Sequence, residues 1–191
     1  MNMHIMSLAN QNTYKGMLQC GNCNVANGLI HLPYYSYLKC GIAPYVAENG
    51  LLVHDWIVHC LDPSNSVVFL DTDSVPGREV EFGRKIKNNV ELELVQHVTH
   101  ALILCGLPQE ELGIICPLNS QVILIRNSLG EFYSNIDIHS IDKFQGVDKS
   151  CIILSLVRSN DKMQIHDIMR DWQRVNVAFT RAKHKMIIVG S

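Results

Sequence analysis

Apolar residues alternate along the chain, from about residue 62 onwards, between short continuous runs and stretches with helical spacing. The pattern predicts strands at 67–71, 112–117, 135–141, 150–157 and 186–189, and helices at 88–105, 120–129 and 171–181. Strands that are apolar throughout and separated by helices are typical of a mostly parallel sheet with helices on both faces. We therefore predict an α/β domain of three layers.

The longest predicted helix has well-defined ends. Asn88 and Glu91 have the spacing of a capping box, in which each side chain accepts from the backbone N–H of the other residue. Gly106 and Pro108 follow the last apolar position and end the helix. We expect Asn88 to be the N-cap and Glu91 to lie in the first turn.

Residues 1–61 follow the alternating pattern less well. Helices are favoured at 1–13 and 24–30, whereas 31–60 is rich in turn and aromatic residues and predicts no element. The chain begins as though inside an element. We therefore predict that residues 1–61 continue from a preceding domain and that 62–191 form the α/β domain.

The composition is that of a globular protein and excludes a disordered chain or a coiled coil. Of the 191 residues, 47% are hydrophobic and 18% charged, and the net charge of −2 gives no overall basic surface for nucleic acid.

The seven cysteines are irregularly spaced, which predicts reduced thiols in an intracellular protein. Cys20 and Cys23 form a C-x-x-C pair without a second pair, so we expect no metal site. No apolar run reaches the ~18 residues of a membrane span, so we expect no membrane partner.

The segment D-K-F-Q-G-V-D-K, residues 142–149, is a candidate ligand-binding loop. Gly146 lets backbone N–H groups approach a ligand closely, because it carries no side chain. Gln145 can orient a polar group, and Asp148 can accept a hydrogen bond from a hydroxyl group or water. Taken alone, the segment is too short to be specific.

The segment R-V-N-V-A-F-T-R-A-K, residues 174–183, has two interpretations. It is either an amphipathic helix with solvated charges or a helix that aims Arg181 at a phosphate group. A guanidinium in that position stabilises the charge that develops in phosphoryl transfer and raises the rate roughly 10³-fold or more.

Taken together and in this order, the two segments resemble motifs V and VI of superfamily 1 helicases. SIDKFQGVDKSCIILSLVRS at 140–159 and DWQRVNVAFTRAKHKMIIVGS at 171–191 are most similar to the eukaryotic DNA replication ATP-dependent helicase/nuclease family, in the 5′-to-3′ branch shared with the nonsense-decay helicases. LGIICPLNSQ at 112–121 is also similar, with Leu118 where the family has tyrosine. The 191 residues contain no G-x-x-x-x-G-K-[ST] phosphate loop. The resemblance therefore implies a second RecA-like motor domain, of the P-loop NTPase type but without its own phosphate loop.

The resemblance also implies roles for individual residues. Arg181 would be the catalytic arginine finger, and ATP would be faced by Gln145, Gly146, Asp148 and Arg181. Single-stranded DNA would be contacted by Ser140, Lys143, Pro117, Gln121 and Arg158. Arg174 and Asn176 would hold the motif VI helix against the sheet.

The implied enzyme is an ATP-hydrolysing DNA helicase of replication and repair. ATP with Mg²⁺ would be shared with a first motor domain outside this chain, so the chain alone is expected to be catalytically incomplete and inactive. Its partners would be that first domain and single-stranded DNA. The nuclease activity and the iron–sulfur cluster belong to full-length members of the family, since this sequence contains neither a nuclease motif nor a suitable set of cysteines. The implied compartment is the nucleus, with mitochondria as the alternative.

Three other interpretations remain open from the sequence. The chain is a truncated product that acts as a non-catalytic binding module, a related superfamily 1 helicase that acts on RNA, or an unrelated nucleotide-binding α/β domain.

Overall fold

The computed structural model describes residues 1–40, 54–75, 78–83, 85–159 and 171–191. Its strands are β1 (Val67–Asp71), β2 (Val80–Phe82), β3 (Lys85–Lys87), β4 (Leu112–Cys116), β5 (Asp137–Ser140), β6 (Lys149–Ser155) and β7 (Ala182–Gly190). Five of them form a sheet in the order β1-β7-β6-β4-β5, and every neighbouring pair in it is parallel. The other two, β2 and β3, form an antiparallel hairpin.

The helices lie on both faces of the larger sheet. They are α1 (Met3–Ala9), which runs into a π-helical turn at Asn10–Tyr14, α2 (Cys23–Ala26), α3 (Tyr35–Lys39), α4 (Asp55–Leu61), α5 (Asn89–Leu104), α6 (Asn119–Leu129) and α7 (Trp172–Phe179). Short 3₁₀ turns occur at Gln109–Glu111, Glu131–Tyr133 and Ile141–Phe144. Over the described ranges, no helix is both long and apolar enough to cross a bilayer.

The α/β class, the mostly parallel sheet and the five predicted strands are confirmed. The long helix predicted from residue 88 is confirmed as α5. The helix predicted at 24–30 is limited to Cys23–Ala26, and α3 and α4 come from the stretch for which no element was predicted. The hairpin was not predicted. The boundary between 1–61 and 62–191 stays a prediction, although Ile5 and Ile57 from the first part lie fully buried in the core.

Side chains alternate along the central strands between two apolar clusters, one on each face of the sheet. One cluster, beneath α4, α5 and α6, takes Ile114, Ile153 and Ile187. The other, beneath α1, α7 and the Ile141–Phe144 turn, takes Ile115, Ile152 and Met186. This alternation with a period of two buries both faces, which explains why the strands are apolar throughout.

Gly113 in β4 leaves the space that the ring of Phe144 fills. A Cβ atom at Gly113 would lie 2.5 Å from Cζ of Phe144 and 2.7 Å from Cδ1 of Ile152. Phe144 is fully buried, and its ring anchors the segment between β5 and β6 to the sheet. The absence of a side chain at residue 113 therefore fixes the path of that segment.

We expect Gly113→Ala to lower the free energy of unfolding by about 1–3 kcal/mol, because the added methyl group overpacks a filled part of the core. Urea unfolding of the purified chain measures the change. Gly21→Ala is the matched control, because a Cβ at Gly21 would meet nothing within 4 Å. Equal stability of the two variants would contradict the packing argument.

Candidate functional site

The parallel sheet separates the predicted site residues into two sets at opposite edges. The residues that precede β6 and β7 lie at the amino edge, where these strands begin, and the residues that follow β4, β5 and β6 lie at the carboxyl edge. The length of β6 separates the two edges by roughly 20 Å. The predicted nucleotide set, Gln145, Gly146, Asp148 and Arg181, falls at the amino edge. The predicted nucleic-acid residues Ser140, Pro117 and Arg158 fall at the carboxyl edge.

Arg181 and Asp148 form an ion pair at the amino edge. Lys149 and Ala182 are register partners in β6 and β7, so the residues just before them come side by side. Nη1 of Arg181 lies 2.9 Å from Oδ1 of Asp148. The arginine side chain is 19% exposed and the aspartate side chain 52% exposed. The strand register thus joins two residues that are 33 positions apart in sequence.

The rest of the Arg181 guanidinium is bound to the end of its own helix. Nε donates to the carbonyl of Val177 at 3.1 Å, and Nη2 donates to Oγ1 of Thr180 at 3.0 Å. A cation beside the last carbonyls of a helix interacts favourably with the helix dipole. The side chain is therefore held from α7 on one side and from Asp148 on the other.

The loop before Asp148 is open to solvent. Gly146 has a φ of +85°, a left-handed conformation that favours glycine, and a Cβ there would meet nothing within 4 Å. Gln145 is exposed, and the turn is closed by the N–H of Val147, which donates to the carbonyl of Phe144 at 3.1 Å. The loop therefore presents its backbone and the Gln145 amide outward from a buried anchor.

The polar side chains of α7 bond to neighbouring segments, while its apolar side chains pack on the strands. Nε of Arg174 lies 3.3 Å from Oδ1 of Asp142, in the Ile141–Phe144 turn. Nδ2 of Asn176 donates to the hydroxyl of Tyr14 at 2.9 Å. The expectation that Arg174 and Asn176 attach this helix to the sheet is corrected in this respect. They join the helix to the loop that carries Asp148 and to the chain start.

Ser140 and Lys143 lie where β5 ends. Ser140 is half-buried and pairs in register with Cys116 of β4, whereas Lys143 is exposed in the turn that follows.

Two residues near Ser140 were missed by the sequence analysis. Nη2 of Arg126 donates to the carbonyl of Ile138 at 2.5 Å and lies 3.5 Å from Nδ1 of His139. Burial lowers the pKa of His139, and the positive charge of nearby Arg126 lowers it further. Because Arg126 lies on α6 and His139 on β5, no local motif could have linked them. With exposed Lys143 nearby, Arg126 makes the surface beside His139 basic.

Gln121 and Pro117 are buried, and their contact with nucleic acid stays a prediction that would require their surfaces to be uncovered. Nε2 of Gln121 donates to the carbonyl of Asn88, and Oε1 accepts from the N–H of Asn88, both at 2.9 Å. Gln121 is fully buried, and Pro117 is also buried. Gln121 instead ties the start of α6 to the start of α5.

Arg158 is mostly covered by an acidic partner. Its Nη1 lies 3.1 Å from Oε1 of Glu79, and its side chain is 13% exposed. Glu79 also accepts from the N–H of Ser159 at 3.0 Å through Oε2. The contact joins the end of β6 to the hairpin, so the predicted role of Arg158 in binding nucleic acid would require part of its surface to be uncovered.

Glu91 is a buried carboxyl group that the functional prediction missed. Asn88 caps α5 as expected, because its Oδ1 accepts from the N–H of Glu91 at 3.0 Å. The second hydrogen bond of a capping box, from the N–H of Asn88 to the Glu91 side chain, is replaced by one from that N–H to Oε1 of Gln121. Oε2 of Glu91 accepts from the hydroxyl of Ser155 at 2.6 Å and from the N–H of Val157 at 2.9 Å. Val157 has a φ of 72°, so this carboxyl group holds a left-handed residue just past β6.

Burial raises the pKa of Glu91 to about 7, against the hydrogen bonds from Ser155 and Val157, which lower it. The folded chain therefore keeps this proton up to a higher pH than the unfolded chain. It follows that the contribution of Glu91 to stability falls as the pH rises from 4.5 to about 7.

We expect Glu91→Gln to gain stability relative to the unchanged chain as the pH rises from about 5 to about 8, by up to about 3 kcal/mol, because glutamine stays neutral throughout. Unfolding free energies at several pH values measure the difference. Glu93→Gln is the control, because Glu93 lies on the same helix with an exposed side chain. Parallel pH curves for Glu91→Gln and the unchanged chain would contradict the assignment.

Comparison with known proteins shows what the chain is similar to. Residues 1–191 match a family profile described as AAA domain. The human DNA replication ATP-dependent helicase/nuclease DNA2 is 36% identical over 190 residues, which cover 100% of this chain and 18% of that protein. The Schizosaccharomyces pombe protein of that name is 35% identical over 191 residues, covering 100% of this chain and 13% of that protein. The Arabidopsis thaliana helicase/nuclease JHS1 is 35% identical over 189 residues, covering 98% of this chain and 13% of that protein. The chain thus spans less than a fifth of the length of these relatives.

Proposed function

Since the chain belongs to the AAA domain family, we propose that it works as the second motor domain of an ATP-dependent 5′-to-3′ DNA helicase. The resemblance to the helicase/nuclease family is confirmed by relatives from animals, a fungus and a plant. The observation that carries the proposal is the position of Arg181, which lies next to the exposed Gln145–Asp148 loop at the amino edge.

The amino edge is suited to one face of a nucleotide. The guanidinium of Arg181 has only donors, Gln145 is exposed, and Gly146 leaves open space beside the backbone. ATP bound against this edge would meet Arg181 at its γ-phosphate, where the guanidinium stabilises charge that develops on transfer. No group of three or more histidine, cysteine, aspartate or glutamate side chains among the described residues could hold a metal ion. In keeping with the family resemblance, we assign the phosphate loop and the Mg²⁺ ligands to a first motor domain.

The carboxyl edge is suited to a phosphate backbone. Lys143 and Arg126 are exposed there, and Ser140 offers a hydroxyl group beside them. Arg158 belongs to the same edge if its pair with Glu79 opens. Because the chain has a net charge of −2, we expect weak, salt-sensitive binding of single-stranded DNA by this half alone.

Residues 141–148 connect the two edges. They run from Ser140, at the end of β5, to Lys149, at the start of β6, and Phe144 fixes their middle in the space above Gly113. A shift of this segment would move groups at both edges at once. We propose that closure over ATP and the grip on DNA are linked through it, as a change in population between open and closed states.

The printed names of the relatives support DNA over RNA as the substrate, because each describes a DNA replication enzyme. The same names support a role in replication, whereas the nucleus and repair remain what the family resemblance implies. We assign neither nuclease activity nor the iron–sulfur cluster to this chain. Four of its seven cysteines, Cys60, Cys105, Cys116 and Cys151, are buried in the apolar cores, and all seven are free thiols.

In the full-length helicase, we expect Arg181→Ala to lower kcat for ATP hydrolysis about 10³-fold with little change in DNA affinity, because a transition-state contact is lost while the carboxyl edge is kept. Steady-state ATPase and DNA-binding assays measure the two effects. Lys183→Ala is the control, since it removes the same charge from an exposed position two residues away. An unchanged kcat would refute the arginine-finger role.

The chain on its own serves as the negative control in the same ATPase assay, and we expect no turnover from it. A magnesium-dependent rate that disappears in the Arg181→Ala variant of the isolated chain would contradict the division of the site between two domains.

At the opposite edge, we expect Lys143→Ala and Arg126→Gln each to reduce the salt dependence of single-stranded DNA binding, by about 0.7 in the slope of log K against log salt, because each removes one phosphate contact. Binding titrations of the full-length helicase at several salt concentrations measure the slope. The Lys183→Ala variant again serves as the control, because it lies at the other edge. Slopes that do not differ from that control would remove these two residues from the DNA surface.

A further inference from the structure

We propose that Asp148 is a counter-ion that masks the charge of Arg181 while the nucleotide cleft is open, and that it thereby sets the affinity for ATP. The inference rests on the proposed arginine-finger role of Arg181. It makes Asp148 a positioning residue that acts through Arg181.

The guanidinium of Arg181 is engaged on all three of its nitrogens. Nε and Nη2 donate to Val177 and Thr180, at the end of the helix that carries the arginine, and Nη1 faces Asp148 at 2.9 Å. The contacts to Val177 and Thr180 are neutral and leave the positive charge in place. Asp148 is therefore the partner among these three that cancels it.

An arginine finger acts by its positive charge, because the transition state of phosphoryl transfer gathers negative charge. A carboxylate at hydrogen-bond distance from the guanidinium offsets part of that charge and occupies one of its donors. The same carboxylate repels the phosphates of an incoming nucleotide. The pair must therefore open before Arg181 can serve the reaction.

The structure favours movement of Asp148 over movement of Arg181. Asp148 is 52% exposed, so solvent screens the pair and makes it weak. It follows the exposed loop at Gly146, where open space surrounds the backbone. Arg181 is 19% exposed and stays tied to its helix by two hydrogen bonds. A phosphate that approaches from the cleft can thus displace the carboxylate while the guanidinium keeps its place.

In the full-length helicase, we expect Asp148→Asn to tighten binding of a non-hydrolysable ATP analogue about three- to five-fold, the range that a screened ion pair allows. Fluorescence titration measures the affinity, and an unchanged affinity would overturn the proposal.

Two further variants separate the possible causes. Glu131→Gln removes the same charge from an exposed residue just past α6, and we expect no change in nucleotide affinity. In the Arg181→Ala background, Asp148→Asn is expected to give no further gain, whereas a gain of the same size there would overturn an action through Arg181. An unchanged kcat for Arg181→Ala alone would refute the proposed function itself. An unchanged affinity for Asp148→Asn beside an impaired Arg181→Ala variant would refute only the masking role.

Discussion

The parallel register of β6 with β7 is the constraint on which the candidate site depends. Parallel strands all begin at one edge, so a residue just before one strand lies beside the residue just before its neighbour. Lys149 and Ala182 are register partners, and this places Asp148 against Arg181. The same directionality sends Ser140 and Arg158 to the far edge. The direction of the strands, and not the conformation of the loops, thus places the two sets of residues at opposite edges.

The two edges differ in how firmly their polar groups are held. At the carboxyl edge, Glu91, Asn88 and Gln121 are fully buried and bonded to one another or to backbone groups. Buried polar groups that lose a partner cost far more than exposed ones, so this network allows one arrangement of the strand ends. At the amino edge, Asp148 and the Gln145–Gly146 turn are exposed. The groups there can change partners at small cost.

Sequence analysis predicted the strands and helices whose positions are set by the apolar pattern and by local spacing. The five strands of the large sheet and helix α5 follow from continuous apolar runs and from the cap at Asn88. The hairpin was missed because its strands have three residues each and one of them, Lys85–Lys87, is largely charged. The burial of Gln121 and the approach of Arg126 to His139 depend on contacts between separate elements, which no local spacing reports. The contact of Arg181 with Asp148 could have been predicted, because parallel β6 and β7 that lie side by side bring the residues before them together.

The contrast between the edges bears on how the two ligands would be coupled. The segment 141–148 is anchored in the middle by Phe144, whose ring is locked between Gly113 and Ile152. The anchor at Phe144 and the buried network at the carboxyl edge both resist movement. When ATP binds, residues 141–148 can therefore change conformation most easily at their exposed end, next to Asp148. Motion should therefore concentrate where the nucleotide would bind. A smaller displacement would reach Ser140 at the other end of the segment, as a motor requires if its grip on a strand is to follow nucleotide exchange.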